Sequence, residues 1–419
     1  MNFQADNSGY LPLYLYPETC SDEHTANVRQ MKGSFMKFLH TADLHIGKKL
    51  FELSLIEDQK HILRRIADIA EAEQVDAVVL AGDIYDRAVP PTEAVSLLDD
   101  FLTGLQRKGI PVIMISGNHD SPERVSFADA ILEKQGLYIA GNYQQPLKTV
   151  VLEDEYGPVY FVCMPFVKPA VVGASDSAGA VEQMLSAQPM TLGLRERYVC
   201  VTHYFVTGVH GENPELSDSE TDVNVGGLDS VPSSYFQMFS YVALGHIHKP
   251  QNISTGSERC VVSYSGSPLK YSFSEAMGQK FVNIVELDES GVPKVEKRVL
   301  TPLREMRCIK GRLADLMDPV ILEENKDLRE DYLQVTLTDG EELIDPIGTL
   351  RSAYPNVLQL ILEKNKVREE GEYISAMTLE RKSTAELFGE FYEMIKGEPM
   401  DECRLAVVAE AAEVVERGE

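Results

Sequence analysis

The sequence predicts a layered α/β protein, β-sheets flanked by helices, with a small second α/β domain and a helical C-terminal tail. Two patterns lead there. Between residues 36 and 134, short apolar runs alternate with segments of helical spacing, the order that builds a parallel sheet covered by helices. Several of those runs end abruptly in Gly, Asp, Asn or His. Residues so placed lie at the rim of an open sheet, where α/β proteins put their chemistry.

Taken in order, residues 1–35 are polar and aperiodic, and are expected to form a weakly ordered extension, with Met36 a candidate start codon. Residues 36–41 read as a first strand. Ile62, Leu63, Ile66, Ile69 and Ala70 have helical spacing, and the apolar run at residues 77–81 is a buried strand ending in Gly82-Asp83. Pro91-Thr92 is a helix start signal ahead of Val95, Leu98, Leu102 and Leu105. The strand at residues 112–115 runs into Ser116-Gly117-Asn118-His119-Asp120, and a third helix is expected over residues 123–134. Strands follow at residues 158–164, 198–202, 241–244, 260–264 and 281–287, with a long acidic loop at residues 210–227.

The first domain therefore spans residues 36–300, and Thr301-Pro302 is expected to be a linker. Residues 305–380 form a second unit: strands at 307–310, 332–336 and 357–362 and a helix at 346–353. In the tail, residues 383–419, Ser383-Thr384-Ala385-Glu386 resembles a capping box. Leu387, Phe388, Phe391, Met394 and Ile395 make one apolar stripe, and Leu405, Val407, Val408, Ala411, Val414 and Val415 another.

A composition of 44% hydrophobic and 25% charged residues sets disorder aside. No apolar run approaches the roughly 20 residues that span a bilayer, so no membrane partner is expected. Six scattered cysteines without a C-x-x-C pair suit a reducing, cytoplasmic setting. The net charge of -27 argues against a protein that passively coats nucleic acid, because phosphate repels such a surface. It leaves room for an enzyme that meets phosphate through bound cations.

Five short clusters carry ligand-type side chains: Asp43-Leu44-His45; Gly82-Asp83 with Asp86; Gly117-Asn118-His119-Asp120; Thr202-His203; and Gly245-His246-Ile247-His248. Singly, each has a bland explanation: a surface pair, a turn or a core histidine. At least four directly follow predicted strands, and neighbouring strand ends lie side by side. Together they predict a two-metal site, with Asp83 bridging. Two cations roughly 3.5–4 Å apart would neutralise a phosphodiester, align it and activate water. His24, His40 and His61 are expected to be structural, Asp120 to close a turn, and Asp86 and Arg87 to support it. His210 lies in the acidic loop, where substrate contact is open.

The order Asp-x-His, Gly-Asp-x-x-Asp, Gly-Asn-His-Asp, His, Gly-His-x-His resembles the calcineurin-like metallophosphoesterase superfamily. The text around it is similar to the SbcD family of repair nucleases: Phe38-Leu39-His40-Thr41-Ala42-Asp43-Leu44-His45-Ile46-Gly47, Ala243-Leu244-Gly245-His246-Ile247-His248 and Ser265-Gly266-Ser267-Pro268. The resemblance is dense from Met36 to about residue 300 and looser from 305 onward. It implies that Asp43, His45 and His248 hold one metal, that Asn118, His203 and His246 hold the second, and that Asp83 bridges them. His119 would be catalytic, beside the scissile phosphate, and the metals would be Mn2+.

For function the resemblance implies a DNA double-strand-break repair nuclease, a 3′→5′ exonuclease on duplex ends and an endonuclease on single strands or hairpins. It implies an SbcC-type ABC ATPase partner, on which the tail's apolar stripes suit docking if they do not pack on their own domain, and a capping, DNA-selecting role for residues 305–380. It also implies a homodimer within a heterotetramer, paired through the helices at residues 92–108 and 123–134. A phosphatase or small-nucleotide phosphodiesterase using the same site is the alternative.

Overall fold

The computed structural model describes residues 35–190, 197–220, 229–341 and 343–363, with Tyr392, Arg404, Val407 and Val408. Strands Met36–Thr41, Ala77–Ala81, Val112–Ile115 and Leu137–Ala140 run parallel, in register from Phe38↔Ala77 through Val78↔Val112 to Val112↔Leu137. Helices Ile56–Ala72 and Thr92–Arg107 make the crossovers between the first three. Lys280–Leu287 and then Pro293–Leu300 add antiparallel to the other side of Met36–Thr41, completing six strands. A second six-stranded sheet orders Gln251–Ile253, Val261–Tyr264, Tyr241–Leu244, Arg197–Thr202, Gly157–Met164 and Lys148–Asp154; its four middle strands are parallel.

Alternate side chains of a strand point to opposite faces, and both sheets use this. Phe38, Val79 and Ile113 of the first meet Phe161, Val201 and Tyr241 of the second in one buried core. Phe38 packs edge-on against Phe161 and Tyr241, centroids 5.3 and 5.7 Å away. Helix Thr92–Arg107 buries Ala94, Leu97, Leu98, Phe101 and Leu105, and helix Ile56–Ala72 buries Ile62, Leu63, Ile66 and Ala70. On the outer face of the second sheet, Val162, Cys200, Val242 and Val262 pack with Val181, Met184 and Leu185 of helix Ser177–Ser186. Each such fully buried aliphatic side chain contributes about 1.5–3 kcal/mol, and the resulting sandwich holds the ends of its strands still.

The chain divides into two compact units, Met1–Arg307 and Cys308–Glu419. Strands Met306–Gly311, Tyr332–Leu337 and Val357–Leu362 form a three-stranded sheet. Leu333, Val335, Leu337, Leu350, Tyr354 and Val357 close its core under helix Pro346–Ala353.

Three expectations change. The helix expected over residues 123–134 is broken into Pro122–Val125 and Asp129–Leu132, because Ala128 between them turns left-handed at φ 60°. The expected linker at Thr301-Pro302 is tied down: His61 Nε2 lies 3.2 Å from the Thr301 carbonyl, and Arg304 pairs with buried Asp58 at 2.8 Å. Strands Leu137–Ala140, Lys148–Asp154 and Pro293–Leu300 had no clear sequence signal; the last two mix half-buried charged residues with apolar ones. The extension (residues 1–34), His24 and the tail stripes, apart from Val407 and Val408, lie outside the described residues.

Candidate metal centre

The parallel strands of both sheets end at one edge, and the five clusters follow those ends. Four of the residues there leave the ordinary backbone regions: Asp43 (φ 54°), His45 (φ 43°), Asp83 (φ 48°) and His246 (φ 99°). Such left-handed, non-glycine backbone costs about 1–3 kcal/mol per residue and collects at functional sites. The turns are also crowded. A Cβ on Gly117 would stand 2.2 Å from Asp83 Oδ1, and one on Gly245 2.0 Å from the Ala81 carbonyl.

Two groups of donor atoms meet here. In the first, His45 Nε2 lies 3.1 Å from His248 Nε2, with an Asp43 carboxylate oxygen close by. In the second, Asn118 Oδ1 lies 3.0 Å from both His203 Nε2 and His246 Nδ1. Asp83 stands between them: its Oδ2 is 3.6 Å from His45 Nε2 and 3.3 Å from His203 Nε2. Its Oδ1 accepts the His119 N–H at 2.9 Å, which fixes the carboxylate plane.

Local bonds aim these atoms inward. His203 Nδ1 donates to the Ala81 carbonyl at 2.8 Å, turning Nε2 toward Asp83. Asp43 Oδ1 accepts the His246 N–H at 2.8 Å, leaving Oδ2 buried with no partner among the described residues. An orphaned buried carboxylate oxygen beside converging imidazole and amide acceptors is costly unless a cation joins them. The oxygen and nitrogen donor set suits a divalent cation.

The electrostatics agree. Burial pushes His45 and His246 down to about 3 and His248 well below its ordinary value, so all three are neutral donors. Burial likewise drives Asp43 upward. Burial also opposes charge on Asp83, but the His203 imidazolium, which bonds to it, holds it below the usual carboxylate range. Burial alone would lower His203, yet Asp83 and Asp43 raise it to about 9. Its proton sits where a cation would relieve the same two carboxylates.

His119 differs from the rest. Its side chain is 41% exposed, Nδ1 lies 3.0 Å from the Asp86 carbonyl and Nε2 4.0 Å from Asp83 Oδ2. It overhangs the centre rather than lining it. Asp120 accepts the N–H groups of Gly117, Ile84 and Tyr85 at 2.9–3.0 Å and so closes the turn. Asp86 supports His45, its Oδ1 3.6 Å from Nδ1 and 2.9 Å from Lys48 Nζ. His40, inside its strand, is buried and bonded to Tyr241. His210 bonds through its backbone to Glu212 within its own loop. Sequence reasoning missed Glu220 and Ser219, which touch His248; the acidic loop carrying them was the only signal.

The fold and this edge define a class: enzymes that hold two divalent cations and hydrolyse phosphoesters. The calcineurin-like phosphoesterase model matches residues 36–250, and the model described as the type 5 capsule protein repressor C-terminal domain matches residues 302–395. A Staphylococcus epidermidis protein named as the SbcD component of the nuclease SbcCD is 32% identical over 365 residues, covering 85% of this chain and 92% of that protein. Its Staphylococcus saprophyticus namesake is 33% identical over 78% of this chain and 84% of its own length. A crystal structure from Thermus thermophilus aligns at TM-score 0.38 and 12% identity over 63% of this chain and 99% of its own, too slight a likeness to inform function. The chain belongs to the calcineurin-like phosphoesterase family, in its SbcD branch, and is a metal-dependent phosphodiester hydrolase.

Proposed function

We propose that the chain is the nuclease component of a DNA double-strand-break repair complex, a Mn2+-dependent 3′→5′ exonuclease on duplex ends and an endonuclease on single strands and hairpins. Its partner is an SbcC-type ABC ATPase. The observation that carries the reading is Asp83 Oδ2, set between His45 Nε2 at 3.6 Å and His203 Nε2 at 3.3 Å. In this reading Asp43, His45 and His248 hold one cation, Asn118, His203 and His246 the other, and Asp83 both. Two bound cations supply charge neutralisation of the phosphodiester and a water acidic enough to attack it.

The chain's own side chains do the rest. The Asp43 and Asp83 carboxylates would help to hold the cations. His119 presents Nε2 to the departing oxygen while the Asp86 carbonyl holds Nδ1. A proton delivered from Nε2 neutralises that oxygen as the P–O bond breaks.

In this proposal residues 36–300 form the nuclease domain, 305–380 cap it and help select DNA, and the helical tail at 383–419 docks on the ATPase. Two copies pair within a heterotetramer; exposed Val95, Phe127 and Ile131 offer that contact apolar surface. The setting is cytoplasmic. Among the described residues no helix is long and apolar enough to cross a membrane.

The test incubates the full chain with Mn2+ and end-labelled duplex, hairpin and single-stranded DNA, with and without the ATPase. Shortening from 3′ ends and nicking of hairpins are expected. Hydrolysis of a generic phosphomonoester with DNA left intact would overturn the nuclease reading in favour of a phosphatase.

A further inference from the structure

The two cation positions are not supported alike. At the second, the His203 ring is held by a main-chain carbonyl of the sheet, Ala81. At the first, the His248 ring is held by a side-chain hydroxyl, while its main chain is held by side chains and by the Ser267 N–H, which donates to the His248 carbonyl at 3.2 Å. Its N–H donates to Glu220 Oε1, its carbonyl accepts Lys280 Nζ at 2.8 Å, and its Nδ1 lies 2.9 Å from Ser219 Oγ. With those three atoms bonded, Nε2 is the polar atom left to face His45.

The Ser219 hydroxyl has one proton, and its neighbours decide where it points. Glu275 Oε1, 3.3 Å away, can only accept, so Ser219 Oγ–H donates to it and Oγ accepts from His248 Nδ1–H. Ser217 Oγ, 2.6 Å from Ser219 Oγ, fills the second acceptor position as a donor. Glu275 is itself buried; it also accepts the Tyr271 N–H at 3.1 Å and pairs through Oε2 with buried Lys280. Lys280 extends to Ser267 Oγ at 2.8 Å. Glu220, 3% exposed, accepts the Ser217 N–H at 2.7 Å, which locks the loop that carries Ser219.

We propose that Ser219 and Glu220 are positioning residues for the cation position of Asp43, His45 and His248, through a relay His248 Nδ1–H to Ser219 Oγ–H to Glu275. The relay holds the tautomer with its lone pair on Nε2, the form that ligates a cation. A histidine ligand commonly gives its other N–H to a carboxylate directly or to a carbonyl. Here a loop hydroxyl stands between them, so occupancy of one position depends on the Ser217–Glu220 turn while the other depends on the sheet. The inference rests on the two-cation reading above and deepens it.

The test titrates metal-free full chain with Mn2+ by calorimetry and follows Mn2+ electron paramagnetic resonance. Wild type should take two ions and show a spin-coupled spectrum; fewer than two would sink the two-cation reading itself. Given two in wild type, Ser219→Ala and Glu220→Ala should weaken one ion about 10–100-fold and leave the other unchanged. At Mn2+ levels that fill both positions in wild type, they should give the six-line spectrum of an isolated ion. Ser219→Thr, which keeps the hydroxyl, should restore the coupled spectrum. Ser219 lies on an exposed turn, so the Ala and Thr pair decides the matter even where Glu220→Ala fails to fold. Two unchanged affinities in Ser219→Ala, or equal weakening of both, would overturn the proposal.

Discussion

The two ends of the same strands are built on opposite principles. At the N-terminal edge, charges are matched. Arg197 and Asp154, both essentially buried, pair in a fork at 2.6 and 2.7 Å, and Arg197 also bonds the Gly157 carbonyl. Lys37 and Arg298 share Glu73, and Asp76 accepts the Lys37 N–H at 2.9 Å. At the C-terminal edge, carboxylates and imidazoles are crowded together, Asp43 Oδ2 has no partner among the described residues, and the backbone is left-handed at four non-glycine positions. One edge commits its polar groups to folding. The other leaves them unsatisfied for ligands, which is where natural sequences break local rules.

Substitutions can break or sharpen that contrast. The largest effect should come from Asp83→Ala. Two cation positions, each worth several kcal/mol of transition-state stabilisation, correspond to about 10⁵-fold in rate. The metal-free melting temperature should hold or rise, since a buried, strained carboxylate is gone. A clear fall in calorimetry would mean that this edge also stabilises the fold. His119→Gln should come next, slowing phosphodiester hydrolysis about 10²–10⁴-fold. Its Mn2+ stoichiometry should match wild type, because the His119 ring overhangs the donors; loss of an ion would make His119 a ligand.

Arg197→Met should do the reverse, costing about 3–5 kcal/mol in denaturant unfolding by stranding the buried Asp154, with Mn2+ affinity intact. The double variant Arg197→Met with Asp154→Leu should recover much of that loss. No recovery would show that the pair does more than satisfy itself. The smallest effect belongs to Lys37→Ala. Its side chain is 24% exposed beside Glu73, so solvent screening limits the loss to about 1 kcal/mol or less, read as a small shift of the urea midpoint.

Much of the scaffold could be read in the sequence because its signals are local. Fully buried parallel strands such as Ala77–Ala81 are continuous apolar runs, and helix Pro346–Ala353 begins with proline in its first turn after an aspartate cap. Strands at the sheet edges were not legible. Pro293–Leu300 has exposed residues on both faces and reads as a charged, irregular string. The break at Ala128 was hidden for another reason, since alanine is the best helix former and only the surroundings impose its left-handed turn.

The same division runs through the site. Asp43, His45, Asp83, Asn118, His119, His203, His246 and His248 stand out in the sequence by residue type and by their place after strands. That chain order determined which residues could meet, because neighbouring parallel strands must deliver their C-terminal ends to one edge. Orientation was decided only in three dimensions. Whether Nδ1 or Nε2 of a histidine faces its neighbours depends on what the other nitrogen finds. For His203 that is a carbonyl 122 residues away, and for His248 a serine on a loop 29 residues away. A hydrogen bond is set by distances of about 3 Å and by angle, and no linear pattern carries such distances between segments that only folding brings together.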